Sequence, residues 1–328
     1  MNLMELNGVS VIFEDRSSIF KKKEFYALKD ISLNIQENDL LIVLGESGAG
    51  KTTLGRVMVG LQKPTKGSLI YKGYNVWKNR RKIYATYRRE VQLIPQDPYS
   101  TLPYNKTVEE ILSAPIKRWM KLDKDKIRKR IFELLEMVKL TPQEEIINKF
   151  PHQLSGGQRQ RINIARSLSL DPKLIIADEP VTMVDASLRL GILNILAEIK
   201  NRLNLSMVFI THDIPIARYF YHLVNKGKTV IMFAGRIVEE GDLEEILRDP
   251  LHPYTKDLIK ITPSIENVIS ERRVIGENVK VDYTRVEVGC PYNLRCPFVM
   301  EMCRKNEPSL INTNANHKVS CYLYGKNN

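Results

Sequence analysis

Gly45-Glu46-Ser47-Gly48-Ala49-Gly50-Lys51-Thr52 satisfies the pattern G-x-x-x-x-G-K-[ST] in full, and each fixed position has a chemical reason. Glycines let backbone N–H groups converge on phosphate oxygens without a side chain in the way. Lys51 would place a point charge on the β- and γ-phosphates of a nucleotide. The helix that begins near Thr53 would direct its positive end at them, and the Thr52 hydroxyl can ligate Mg²⁺. Three independent effects thus favour one polyanion. The loop alone does not separate transporters, kinases, GTPases and DNA-repair ATPases.

Such a loop needs a strand before it and a helix after it. Leu40 to Leu44 is a short apolar run bounded by polar residues and glycine, which predicts a strand, and Leu28 to Leu33 predicts another. After the loop, Leu54, Val57, Met58 and Leu61 recur at helical spacing, so a helix is expected over 53–61. Leu6 to Phe13 reads as the first strand, with 14–24 as an insertion. Residues 107–149 are rich in helix formers, with Ile131, Leu134, Leu135 and Val138 three and four apart. Strand-like runs return at Leu174 to Ala177 and Ser206 to Thr211, flanked by helical patterns, the alternation of a parallel sheet covered by helices. Periodicity weakens after Ile259, so the remainder is expected to be an appendage.

A second candidate anion site lies at Leu154-Ser155-Gly156-Gly157-Gln158, with Ser155 standing 104 positions after Lys51 and a helical stretch following. A serine hydroxyl and glycine N–H groups at a helix N-terminus form a site that cannot reach a phosphate held by the same chain's Lys51 loop. This segment resembles the signature of ABC ATPases, and other motifs of that family follow its order. Leu174-Ile-Ile-Ala-Asp178-Glu179 resembles the second Walker motif, which implies that Asp178 helps hold Mg²⁺ and that Glu179 polarises the attacking water. Gln96 matches the Q-loop glutamine, a ligand of Mg²⁺ and water; Asp185 matches the D-loop; His212 matches the switch histidine that contacts the γ-phosphate.

The resemblance covers residues 1 to 245 and implies an α/β P-loop NTPase: a RecA-like core with an antiparallel β subdomain and a helical subdomain over about 100–172. It also implies that Ser155, Gly156 and Gly157, with Gln158 beside them, close on the nucleotide of a second cassette, head to tail. The family stacks adenine on an aromatic residue near the first strand, and Phe13 and Tyr26 both qualify; the strand count favours Phe13.

His252-Pro253-Tyr254-Thr-Lys-Asp-Leu258 resembles the opening of the C-terminal extension of the oligopeptide and dipeptide importer subfamily, here 246–328. That implies an ATPase powering import, bound to two membrane permeases and served indirectly by an extracellular substrate-binding protein. Relatives in the subfamily carry di- and oligosaccharides or nickel, which leaves the cargo open. All four cysteines, Cys290, Cys296, Cys303 and Cys321, fall in the last 39 residues at spacing C-x5-C-x6-C-x17-C. In a reducing compartment, metal ligation competes with disulfides and free thiols. Four thiolates suit zinc or an iron–sulfur cluster, and the resemblance points to [4Fe–4S].

Bulk properties fit this frame. At 328 residues, 43% hydrophobic and 27% charged, the chain has an ordinary globular composition. No apolar run approaches the roughly 20 residues of a membrane span, and Met1 to Asn7 lacks the pattern of a secretory signal, so the chain is expected to stay in the cytoplasm; the resemblance to importer subunits implies a peripheral place on the cytoplasmic face of the membrane. The net charge of +12 concentrates in 78–89 and 117–130. It reads as solvated helix faces or as a surface for nucleic acid or anionic lipid. A nucleic-acid ATPase is disfavoured, because the interval between the ATP motifs leaves no room for a long coiled coil and only one cassette is present.

Overall fold

In the computed structural model, which describes residues 2–15, 23–261, 288–314 and 316–325, the chain opens with a long antiparallel hairpin. Its strands are β1 (Asn2–Asp15) and β2 (Lys23–Gln36), with Phe13 opposite Phe25 and Glu14 opposite Glu24. Glu14 and Glu24, which bound the stretch read as an insertion, therefore pair as strand residues, and 16–22 lie outside the described residues. Along β2, Ile31, Leu33 and Ile35 are buried while Ser32 and Asn34 between them are exposed, the period-two pattern of a half-buried sheet.

β3 (Leu40–Leu44) is apolar at every position because both of its faces are covered. Leu40, Ile42 and Leu44 enter one hydrophobic core, and Leu41 and Val43 the other. Helix α1 (Lys51–Met58) follows at once. Strands β4 (Lys66–Tyr71) and β5 (Tyr74–Asn75) then complete a four-stranded sheet in the order β2-β1-β4-β5. Helix α2 (Arg80–Glu90) leads into β6 (Val91–Ile94). Arg80 and Lys82 rest over Tyr84 and Tyr74 at 4.5 and 4.4 Å, and Arg128 lies 5.7 Å from the Phe132 ring, so these parts of the basic stretches pack on their own aromatic neighbours.

A group of helices comes next: α3 (Pro98–Thr101), α4 (Val108–Trp119), α5 (Lys124–Met137), α6 (Gln143–Ile147) and α7 (Gly156–Leu168). The predicted stripe Ile131, Leu134, Leu135 and Val138 is fully buried among them. Thr107 and Glu110 form a capping box that starts α4, and Ser155 and Gln158 form another that starts α7.

The chain then returns to the main sheet through β7 (Leu174–Asp178), α8 (Ala186–Leu203), β8 (Ser206–Thr211), α9 (Ile214–Val224), β9 (Lys228–Phe233) and β10 (Arg236–Gly241). β7 and β8 alternate as β3 does: Ile175, Ala177, Met207 and Phe209 face one core, Ile176, Val208 and Ile210 the other. Last come α10 (Leu243–Arg248), α11 (Pro253–Ile261), α12 (Glu301–Lys305), β11 (Ile311–Asn312) and β12 (Lys318–Val319). The full order is β11-β12-β10-β9-β3-β8-β7-β6, parallel from β9 to β6. No helix among the described residues is long and apolar enough to cross a membrane.

The C-terminal stretch, expected as an appendage, shares this sheet. Its anchor is Glu239 on β10, fully buried, which accepts hydrogen bonds from the backbone N–H groups of Leu251 (2.8 Å) and His252 (3.0 Å) and faces His317 Nε2 at 2.7 Å. Removing that carboxylate strands three partners, of which His252 and His317 are buried. Glu239→Ala is therefore expected to cost about 3 kcal/mol or more, visible as a lower urea midpoint with an unchanged slope.

Candidate functional site

Between the end of β3 and the start of α1, six residues turn under tight walls. Gly45 has φ 156°, and a Cβ there would lie 2.3 Å from the Met232 carbonyl oxygen; Gly50 has φ 97°, and its Cβ would lie 2.5 Å from that of Ala27. Only glycine fits either position. The loop is braced by Gly235, whose N–H donates to the Ala49 carbonyl at 2.9 Å. Helix α1 has no side-chain cap and no acidic residue in its first turn, so its N-terminal dipole is left for a ligand.

Lys51 is 5% exposed, and Nζ donates to the carbonyls of Gly45 (2.7 Å) and Glu46 (2.9 Å). Burial lowers its pKa, opposed by the charges of Glu179, Asp178 and Glu46. Thr52 Oγ1 donates to Asp178 Oδ1 at 3.4 Å, and burial pushes the Asp178 carboxyl upward. A hydroxyl beside a half-desolvated carboxylate is a donor set suited to a hard divalent cation.

Glu179 follows β7 in the left-handed region, φ 46°, a strained conformation fixed by its N–H donating to the Ile210 carbonyl at 2.9 Å. Its carboxylate is the meeting point of the site. Gln96 Nε2 donates to it at 3.0 Å, Thr182 Oγ1 at 3.2 Å, His212 Nδ1 lies 3.0 Å away and Lys51 Nζ 3.9 Å away. Four separate segments, following β3, β6, β7 and β8, deliver these groups to one point at the ends of adjacent parallel strands, where open α/β sheets bind ligands.

These residues floor an open cleft of about 1200 Å³ lined by Glu46, Ser47, Gly48, Gly50, Lys51, Thr52, Thr53, Gln96, Glu179 and His212. Phe13, Phe25 and Tyr26 form part of its wall, with Phe13 37% and Tyr26 38% exposed, so the hairpin offers two platforms at equal access. Asp178 and Ala49 lie behind the lining. Ser155, Gly156, Gly157, Gln158 and Asp185 are not part of the cleft. Ser155 is exposed, its Oγ accepts from the Gln158 N–H at 3.2 Å, and Gly157 packs against Leu188 just after the exposed Asp185. The α7 N-terminus is thus exposed and stands outside the cleft of its own chain.

Sequence reasoning did not find four groups at the site. Thr182, three residues after Glu179, carried a signal: a hydroxyl one turn beyond a strand-end carboxylate. Leu258, whose α11 reaches the cleft, did not, nor did Tyr254 and Arg295 as neighbours of Glu46. The Glu46 N–H donates to Tyr254 Oη at 2.8 Å, and Arg295 grips the Glu46 carboxylate at 3.2 and 3.3 Å.

The four cysteines line a second, smaller cavity with His252 and Tyr292. Burial raises the pKa of Cys290 to about 11 and also raises those of Cys296 and Cys321. Among the described residues no three His, Cys, Asp or Glu side chains converge closely enough to hold a metal ion. The thiols are gathered, but a finished ion site, as expected from their spacing, is not formed.

The chain matches two family models: ABC transporter over residues 28–182, and the oligopeptide/dipeptide transporter C-terminal region over 238–303. It is 35% identical to the dipeptide transport ATP-binding protein DppF of Haemophilus influenzae, over 98% of this chain and 96% of that one. It is 32% identical to the oligopeptide transport ATP-binding protein AppF of Bacillus subtilis, over 98% and 97%. A dimeric ATP-binding cassette solved in a post-hydrolysis state with ADP and Pi superposes with a TM-score of 0.63 at 27% identity, covering 73% of this chain and 98% of that one. With an ATP-binding-cassette fold, a complete phosphate loop and relatives of matching length, the chain belongs to the ABC transporter family, in the group that carries the oligopeptide/dipeptide transporter C-terminal region.

Proposed function

We propose that this chain is the ATP-hydrolysing subunit of an importer of dipeptides or oligopeptides, bound to the cytoplasmic face of two permeases that a substrate-binding protein supplies. The observation that carries the chemistry is the Glu179 carboxylate, held at the cleft floor by Gln96, Thr182 and His212 and 3.9 Å from Lys51. A general base needs proton affinity and reach, and Glu179 has a fixed position from which to draw a proton from an attacking water.

In this reading Lys51 exchanges its two carbonyl partners for β- and γ-phosphate oxygens. The exchange is favourable because the buried ammonium gains a full counter-charge in place of dipoles. Thr52, Asp178 and Gln96 would hold Mg²⁺, which would supply positive charge against the negative charge of the phosphates. His212, turned from Glu179 toward the γ-phosphate, would add a donor to its developing charge. Phe13 or Tyr26 stacks the adenine. Ser155, Gly156, Gly157 and Gln158 complete the site of a second cassette, with Asp185 at the seam, so ATP closes two such chains or a related pair and hydrolysis opens them.

The four cysteines belong to the same proposal as holders of a [4Fe–4S] cluster. Their convergence on one cavity supports it. A zinc ion held by the same four thiolates is the alternative occupant.

Glu179→Gln is expected to keep ATP binding and to accumulate an ATP-dependent dimer, seen by size-exclusion chromatography; a monomer with ATP would overturn the shared site. Lys51→Ala should lower ATP affinity by about tenfold or more in titration calorimetry. For the cysteines, anaerobically prepared protein should carry about four irons per chain, and Cys303→Ser should lose most of them; equal iron in both would remove Cys303 from the ligands.

A further inference from the structure

Glu46, in the second position of the phosphate loop, puts a carboxylate beside a cradle built for a polyanion. Its charge is already felt at Lys51, where it raises the pKa against the effect of burial. Unscreened, it would oppose the incoming triphosphate as well. Among the described residues, Arg295, 249 residues away in the chain, meets it with two terminal nitrogens that reach the two carboxylate oxygens at 3.2 and 3.3 Å. Both side chains are about 30% exposed, so the pair is partly shielded from solvent screening.

Arg295 is held by the cysteine loop. Its backbone N–H donates to the Tyr292 carbonyl at 3.0 Å, as does that of Cys296, and its guanidinium lies 5.4 Å from the Tyr292 ring. Tyr292 packs on Tyr254 and Phe233, with ring centroids 5.6 and 5.2 Å apart, and the Cys290 N–H donates to the Cys303 carbonyl at 2.8 Å. The turn that aims Arg295 is thus the turn that gathers three of the four cysteines.

We propose that Arg295 is a positioning residue for nucleotide binding, which screens Glu46 and fixes the entrance of the phosphate loop in the same chain. The C-terminal segment is then part of the ATP site, and any change that opens the cysteine loop weakens ATP binding. This inference rests on the assignment of the cleft to the triphosphate.

The test is titration calorimetry of the full chain with Mg-ATP, with unfolding midpoint and free-thiol count measured on each variant. Arg295→Ala should bind ATP about fivefold to tenfold more weakly with midpoint and thiol count unchanged. Adding Glu46→Gln should restore affinity to near wild type, because the charge that needed screening is gone. Wild-type affinity in Arg295→Ala overturns the proposal, and so does a defect that persists in the double variant, since a purely structural role is not rescued by removing a charge. Lys51→Ala keeps the two readings apart: if it binds as wild type, the triphosphate assignment fails, and if only Arg295→Ala does, this inference alone fails.

Discussion

A lysine ammonium at 5% exposure is the constraint around which this molecule is arranged. Buried charge is costly unless partners surround it, and Lys51 is answered on every side: two loop carbonyls at hydrogen-bonding distance, and the carboxylates of Asp178, Glu179 and Glu46 near it. Carbonyl dipoles are a partial answer, and a triphosphate is a fuller one. The loop that presents those carbonyls holds its shape only because Gly45 and Gly50 lie against the backbone oxygens of Met232 and Ala27. Backbone from β2 and from the end of β9 thereby shapes a loop that begins at the end of β3.

The parallel sheet places the acidic partners. β3, β8 and β7 are neighbours with aligned ends, so the phosphate loop, His212 and the pair Asp178 and Glu179 emerge on one side. Their two-faced burial, with alternate residues entering different cores, resists any slip in register, because a shift of one residue would exchange the faces. The precision of the site is inherited from that packing.

The C-terminal segment adds a second source of order. Glu239 ties its start to β10, β12 extends the sheet, and Tyr254 with Arg295 closes on Glu46. Lys29 and Arg236 both pair with Glu307, joining the N-terminal sheet, the main sheet and the extension in one ionic contact. A segment that looks in sequence like an addition is thus a wall of the cleft.

Local patterns were legible from residue order. Leu40–Leu44 and Ser206–Thr211 stood out because continuous apolar runs of strand length suit a doubly covered sheet. The phosphate loop stood out because its chemistry needs consecutive residues. Family motifs likewise announced Glu179, Gln96, His212 and Ser155, whose types and order are set by what they hold. The amino-acid sequence by itself determined that there would be an α/β cassette, a nucleotide loop and four clustered cysteines. Only the tertiary structure decided that Thr182 supports Glu179, that Phe13 and Tyr26 share one wall, that the four thiols meet at one cavity, and that Arg295 answers Glu46. Each of those facts depends on contacts whose closure is set by the packing of whole elements, and distance along the chain carries no signal of them.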